Sequence, residues 1–139
     1  MSINPEIIRA RCQEIVDSVT RLERIGQNSM EHFLKDQDLQ DIACYRLQVA
    51  IEAALALCYH VAAKRLQAVP EEYAGCFRLL EGHGLIPRGL SENLQQMARF
   101  RNLLVHMYWK IDYKAVYGIL RQRLGDLREF SALMATLPA

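Results

Sequence analysis

Apolar residues recur at spacings of three and four along almost the whole chain, the period of an amphipathic α-helix. Ile8, Cys12, Ile15, Val19 and Leu22 form the first such stripe. Asn4-Pro5-Glu6 ahead of it reads as an N-cap, a first helical residue and an acidic first turn. A second long helix is predicted from about Asp41 to Gln67, with Ala43, Leu47, Ala50, Ala54, Leu57 and Val61 inward. Its alanines would let a neighbouring helix come close. Pro70-Glu71-Glu72 is expected to start a shorter helix carrying Phe77 and Leu80, and Gly82-His83-Gly84 to end it with C-cap geometry. A fourth helix is expected from near Gly89–Ser91, carrying Leu94, Met97 and Leu104. Asp112 reads as the N-cap of a last helix with the stripe Val116, Tyr117, Leu120, Leu124, Leu127 and Met134. Gly118 and Gly125, seven apart on one face, predict tight helix packing there. Strand-like alternation, internal repeats, low-complexity runs and linkers are all missing from the sequence. The pattern predicts one all-α domain over residues 1–139, a four-to-five-helix bundle that is mostly antiparallel because the connections are short.

Composition adds bounds rather than chemistry. The chain of 139 residues is large enough for one real core, with 51% hydrophobic and 24% charged residues. No uninterrupted apolar run approaches the roughly 20 residues of a membrane span. The N-terminus lacks a basic-then-apolar leader pattern, so a cytoplasmic protein with no membrane association is expected. Cys12, Cys44, Cys58 and Cys76 lie far apart without a C-x-x-C pair and read as small core residues. His32, His60 and His83 form no ligand pair, so neither a metal site nor a bound cofactor is expected.

The formal net charge is only +1, which argues against a broad nucleic-acid footprint. The distribution is uneven. Residues 1–87 hold nine Lys/Arg against twelve Asp/Glu, whereas residues 88–139 hold eight against four. Local basicity suits a polyanion held at one cleft, although chance sorting of surface charge gives the same asymmetry.

The basic half carries the densest chemistry, Arg101-Asn102-Leu103-Leu104-Val105-His106-Met107-Tyr108. Arg is a permanent cation with a fixed fork of donors, His exchanges protons near neutral pH, and Tyr adds a phenol. A cation beside a proton-transfer group is what phosphodiester cleavage needs. Helical geometry complicates the picture. Arg101 and Tyr108 would share a stripe on a straight helix, but His106 lies about 140° around the axis from Arg101. Either the helix loosens near His106 or a second protomer completes the site.

Arg, four residues, His, one residue, Tyr, with Asn102 directly after Arg101, resembles the signature of HEPN-domain ribonucleases. Within that superfamily the chain is most similar to the HepT-like toxins of two-gene toxin–antitoxin modules. Ala50-Ile51-Glu52-Ala53-Ala54, Pro70-Glu71-Glu72-Tyr73, Gly84-Leu85-Ile86-Pro87, Ile111-Asp112-Tyr113 and Val116-Tyr117 carry the likeness over nearly the whole chain. The resemblance implies a homodimer in which two motifs face one cleft, and an endoribonuclease that uses no metal. His106 would transfer protons and Arg101 would hold the scissile phosphate. Asn102 would bond the phosphate or orient its neighbours. Tyr108 would position phosphate or stack on a base. The family further implies a cognate nucleotidyltransferase antitoxin that transfers AMP to a motif tyrosine, here Tyr108, and an RNA substrate, with tRNA the first candidate. The alternative is a non-catalytic helical module that binds a nucleotidyltransferase or a nucleotide.

Among the neighbours of the motif, Glu52 is either a core-facing acid that orients Arg101 or a solvated one. Lys110 reads as solvated, and Tyr113 and Tyr117 as packing residues. One departure from the family stands out. Members often carry an acid a few positions after the counterpart of Glu52, where this chain has Leu55-Ala56-Leu57-Cys58.

Overall fold

A computed structural model describes residues 2–138. Seven α-helices are present among them: α1 (Pro5–Ile25), α2 (Met30–Lys35), α3 (Gln37–Arg65), α4 (Tyr73–Gly82), α5 (Arg88–His106), α6 (Tyr113–Gln122) and α7 (Leu124–Ala135). A single 3-10 turn, Tyr108–Lys110, joins α5 to α6. No strand occurs among the described residues.

The helix α3 is the axis of the bundle and touches every other α-helix. It is long and apolar enough by composition to cross a membrane. Here its apolar residues serve another purpose. Ala43, Leu47, Ala50, Ala54, Leu57 and Val61 are all fully buried against the surrounding helices, as the stripe predicted. Interior packing is dense around Phe77 on α4 and Phe130 on α7, whose rings meet edge-on at 5.4 Å.

Local chemistry sets the boundaries. The Asn4 side chain accepts a hydrogen bond from the Glu6 amide, and Pro5 opens α1. Asp112 caps α6 through the Lys114 amide. Gly84 takes φ +73° after α4, in the left-handed region where glycine costs least.

Several expectations are corrected. The central helix starts at Gln37 rather than near Asp41, and a short helix, α2, precedes it. Asp36 ends α2 and caps α3 by accepting from the Leu39 amide, so one residue separates two helices. The polar run Gln37-Asp38-Leu39-Gln40-Asp41 hides this start, because it carries too few apolar residues to show a period. Pro70-Glu71-Glu72 lies outside α4, which begins at Tyr73 with Glu72 as N-cap. The last helix is two helices that break at Arg123, although Val116, Leu120, Leu124, Leu127 and Met134 still share one buried stripe. Gly118 and Gly125 mark no close approach, since a Cβ at either would meet nothing within 4 Å. The tight contact is at Gly26, where a Cβ would sit 3.3 Å from the Leu120 carbonyl oxygen.

Candidate functional site

Arg101 lies in the last third of α5, facing α3. Its Nε and Nη2 both donate to Glu52 Oε1, at 3.3 and 3.2 Å. Gln48, one turn before Glu52 on α3, donates to the same oxygen at 3.0 Å. A helix pair at this spacing brings the two side chains onto one face. The Arg101 guanidinium also lies 5.1 Å from the centre of the Tyr73 ring, within cation–π range. Tyr73 is in turn braced edge-on by Tyr59, at 6.1 Å. The Arg101 side chain is therefore 14% exposed and Glu52 41% exposed. The cation is fixed in place and keeps a small exposed surface.

Asn102 accepts from Arg101 Nη1 at 3.2 Å through its side-chain oxygen. That arrangement leaves its amide N–H groups for another acceptor. Beside the pair opens a cleft of about 480 Å³ lined by residues that include Glu72, Tyr73, Ala98, Arg99 and Asn102.

His106 is the last residue of α5 and is exposed. The helix stays regular up to it, and Met107 N still bonds the Leu103 carbonyl at 2.9 Å. The backbone departs only at Met107, with φ −138° and ψ 44°, then tightens into the 3-10 turn. Loosening thus comes one residue too late to swing His106 toward Arg101. It moves Tyr108 instead, off the stripe that it would share with Arg101 on a straight helix. Tyr108 is 67% exposed and Trp109 is 66% exposed, with their rings edge-on at 5.5 Å. Among the described residues, the side chains of His106, Tyr108 and Trp109 make no hydrogen bond. Lys110 is exposed, as expected, while Tyr113 and Tyr117 pack partly against the core. Tyr117 also donates to the Asn28 carbonyl at 2.6 Å.

The structure thus joins Glu52, Arg101 and Asn102 in one cluster and places His106 and Tyr108 on the adjoining rim. Of the two alternatives for Glu52, the structure shows the contact with Arg101, with the acid still 41% exposed. Gln48 and Tyr73 were not foreseen. Gln48 had a signal, its four-residue offset from Glu52. Tyr73 had none, because the contact is tertiary.

Three titratable groups elsewhere in the bundle are shifted by burial. His60 accepts from the Asn4 amide at 3.0 Å, and burial pushes its pKa down, with help from Lys64. Burial likewise holds Cys58 far above the usual thiol range and raises Cys44 to about 11. No group of three or more His, Cys, Asp or Glu that would hold a metal occurs among the described residues. Leu55, Leu57 and Cys58 are buried core residues.

Three comparisons bear on this arrangement. The family model for HepT-like ribonucleases matches residues 2–134. The mRNA nuclease HepT of Shewanella oneidensis is 27% identical over 125 residues, which is 90% of this chain and 93% of that protein. A tri-AMPylated HEPN toxin of Shewanella oneidensis, solved in complex with its MNT antitoxin, superposes with a TM-score of 0.87 at 26% identity, covering 94% of this chain and 98% of the other. A chain from a toxin–antitoxin complex with AMP-PNP gives a TM-score of 0.82 at 25% identity, covering 92% and 97%.

Proposed function

The chain belongs to the HepT-like ribonuclease family, and from that premise we propose that it is an endoribonuclease toxin that cuts cellular RNA at a cleft between two copies of itself. The observation that carries this reading is the Arg101 cation, held by Glu52 and Tyr73 near the end of the helix that presents His106 to solvent.

The chemistry needs no metal, because the ribose 2′-oxygen is the nucleophile. His106 takes the 2′-hydroxyl proton, the 2′-oxygen bonds to phosphorus, and the bond from phosphorus to the 5′-oxygen breaks. A proton returned to that 5′-oxygen completes the step, leaving 2′,3′-cyclic phosphate and 5′-hydroxyl ends. Arg101 binds the scissile phosphate and stabilises the charge that builds on it. The free amide of Asn102 adds a neutral donor. On a regular helix His106 points about 140° away from Arg101. A second copy facing the first would set the His106 of one protomer against the Arg101 of the other, with the two histidines as base and acid. The reading therefore includes a homodimer.

Control is proposed to come from a cognate nucleotidyltransferase antitoxin that transfers AMP to the Tyr108 phenol. The AMPylated Shewanella toxin supports this, and the exposure of Tyr108 makes it reachable. An AMP there adds bulk and negative charge beside the phosphate site. Incubation with the partner and ATP, followed by mass spectrometry, should find the adduct on Tyr108; an unmodified Tyr108 rejects the assignment.

The name of the Shewanella relative favours mRNA over tRNA as substrate. The decisive experiment incubates the protein with total RNA in EDTA beside His106→Ala and maps the ends. Metal-independent cuts bearing cyclic phosphate, missing in the variant, establish the ribonuclease and identify its target. A folded dimer that makes no cuts leaves the non-catalytic binding module as the function.

A further inference from the structure

The mechanism above leaves one prominent residue unused. Trp109, the only tryptophan of the chain, is two-thirds exposed on the 3-10 turn that follows His106. Neither it nor Tyr108 is part of the hydrophobic core or packed against it. Its indole N–H has no partner among the described residues. Tyr108 meets it in an edge-to-face contact at 5.5 Å, which covers at most one of the two indole faces. Met107, Tyr108 and Trp109 are three consecutive exposed large hydrophobic residues, and a contiguous apolar patch, unlike a lone exposed side chain, commonly marks a contact site.

We propose that Trp109 is a stacking platform for a base of single-stranded RNA next to the cleaved phosphodiester. The proposal rests on the ribonuclease reading and deepens it. Three considerations select this occupant. Trp109 follows His106 by three residues, so the indole stands on the same short exposed segment as the group proposed to meet the phosphate. The turn is bounded by the exposed cation Lys110, and Lys114 follows at the start of α6. Asp112, the acid of this segment, uses one carboxylate oxygen to cap α6. Finally, unpaired bases present a π-face whatever their identity, and proteins that hold single strands meet it with exposed aromatic rings beside positive charge. Trp109 would then orient the strand without reading its sequence.

A single tryptophan makes the test direct. A short single-stranded oligoribonucleotide, 2′-O-methylated throughout, carries no nucleophile and so reports binding apart from cleavage. Saturable quenching of the Trp109 emission is expected on titration with it. By anisotropy of the same oligonucleotide carrying a dye, Trp109→Ala should weaken binding roughly tenfold or more, and Trp109→Phe by less, with helicity unchanged in both. Binding without quenching, or equal affinity in Trp109→Ala, overturns the proposal. A change in emission that the antitoxin protein produces and RNA does not also overturns it and assigns the ring to a protein interface. Cleavage of unmodified RNA, measured in parallel, separates the two readings. Cleavage that Trp109→Ala leaves unchanged, without quenching, removes the platform and keeps the ribonuclease. Quenching without cleavage removes the ribonuclease and overturns the platform's place beside a cleaved phosphodiester, leaving only a base-stacking site for RNA. If neither binding nor cleavage occurs, both fall.

Discussion

Glu52 Oε1 accepts from both Nε and Nη2 of Arg101, so one carboxylate oxygen on α3 fixes the direction of a guanidinium on α5. The remaining Nη1 goes to Asn102. A long, flexible side chain is thereby reduced to one pose before substrate arrives, and misplacement of such a group commonly costs about 100-fold in rate. Glu52→Ala is expected to lower kcat by about 10- to 100-fold, and Glu52→Gln by less, because its amide oxygen still accepts. Glu52→Ala should also melt below the parent, because it leaves the Arg101 guanidinium, only 14% exposed, without its carboxylate, whereas Glu52→Gln should melt closer to the parent. Full activity in Glu52→Ala would show that Arg101 needs no orienting acid.

The face of Tyr73 is the second restraint on Arg101. A cation–π contact at a partly exposed site contributes about 0.5–1 kcal/mol, roughly two- to fivefold in rate if it is expressed fully in the transition state. Tyr73→Phe keeps the ring and should cleave RNA nearly as fast as the parent. Tyr73→Leu should lose that factor in kcat with little change in KM. Equal kinetics for Phe and Leu at this position would mean that the ring does not act on Arg101.

Much of this molecule was legible before the fold was known, and for a specific reason. The stripes on α1, α3 and α7 are buried where the three-four spacing put them, because burial of one face is what makes such a helix stable. Asn4 and Asp112 were legible as caps, because capping is local chemistry. The break at Arg123 was not legible, because the apolar stripe continues through it. The contact between Tyr73 and Arg101 was not legible either, since it depends on how α4 docks on α5. The ring of charge and hydrogen bonds around Arg101 is tertiary, whereas the order Arg101, His106, Tyr108 is written in the chain.

The glycines show the same limit and lead to a stability test. Gly118 and Gly125 were expected to mark close packing, yet both face open space on helices. Alanine at a helix-interior position is favoured over glycine by about 1 kcal/mol. Gly118→Ala should therefore raise the melting temperature by about 2–4 °C, with a smaller gain at Gly125, near the start of α7. Gly26→Ala should lower it, because the new Cβ would press on the Leu120 carbonyl and Cβ, at 3.3 and 3.4 Å. The Leu120 backbone is held within α6 and has little room to yield. A gain at Gly26 as large as that at Gly118 would contradict the close approach of α1 and α6.

The His60 interaction predicts a dependence on pH. Its Nε2 accepts from the Asn4 amide, which only the unprotonated ring can do, and burial with nearby Lys64 lowers its pKa below the ordinary 6.5. The unfolded chain therefore binds this proton more readily than the folded one. The contribution is fully present above the unfolded pKa and is lost as pH falls through 6.5 toward the lower folded value. Thermal melts between pH 7.5 and 5 should show stability falling with acid, together with earlier exchange of the Asn4 amide at the start of α1. His60→Gln offers an acceptor that does not titrate, so it should flatten this part of the profile while keeping the neutral-pH stability close to the parent. An unchanged profile in His60→Gln would place the acid sensitivity elsewhere in the chain.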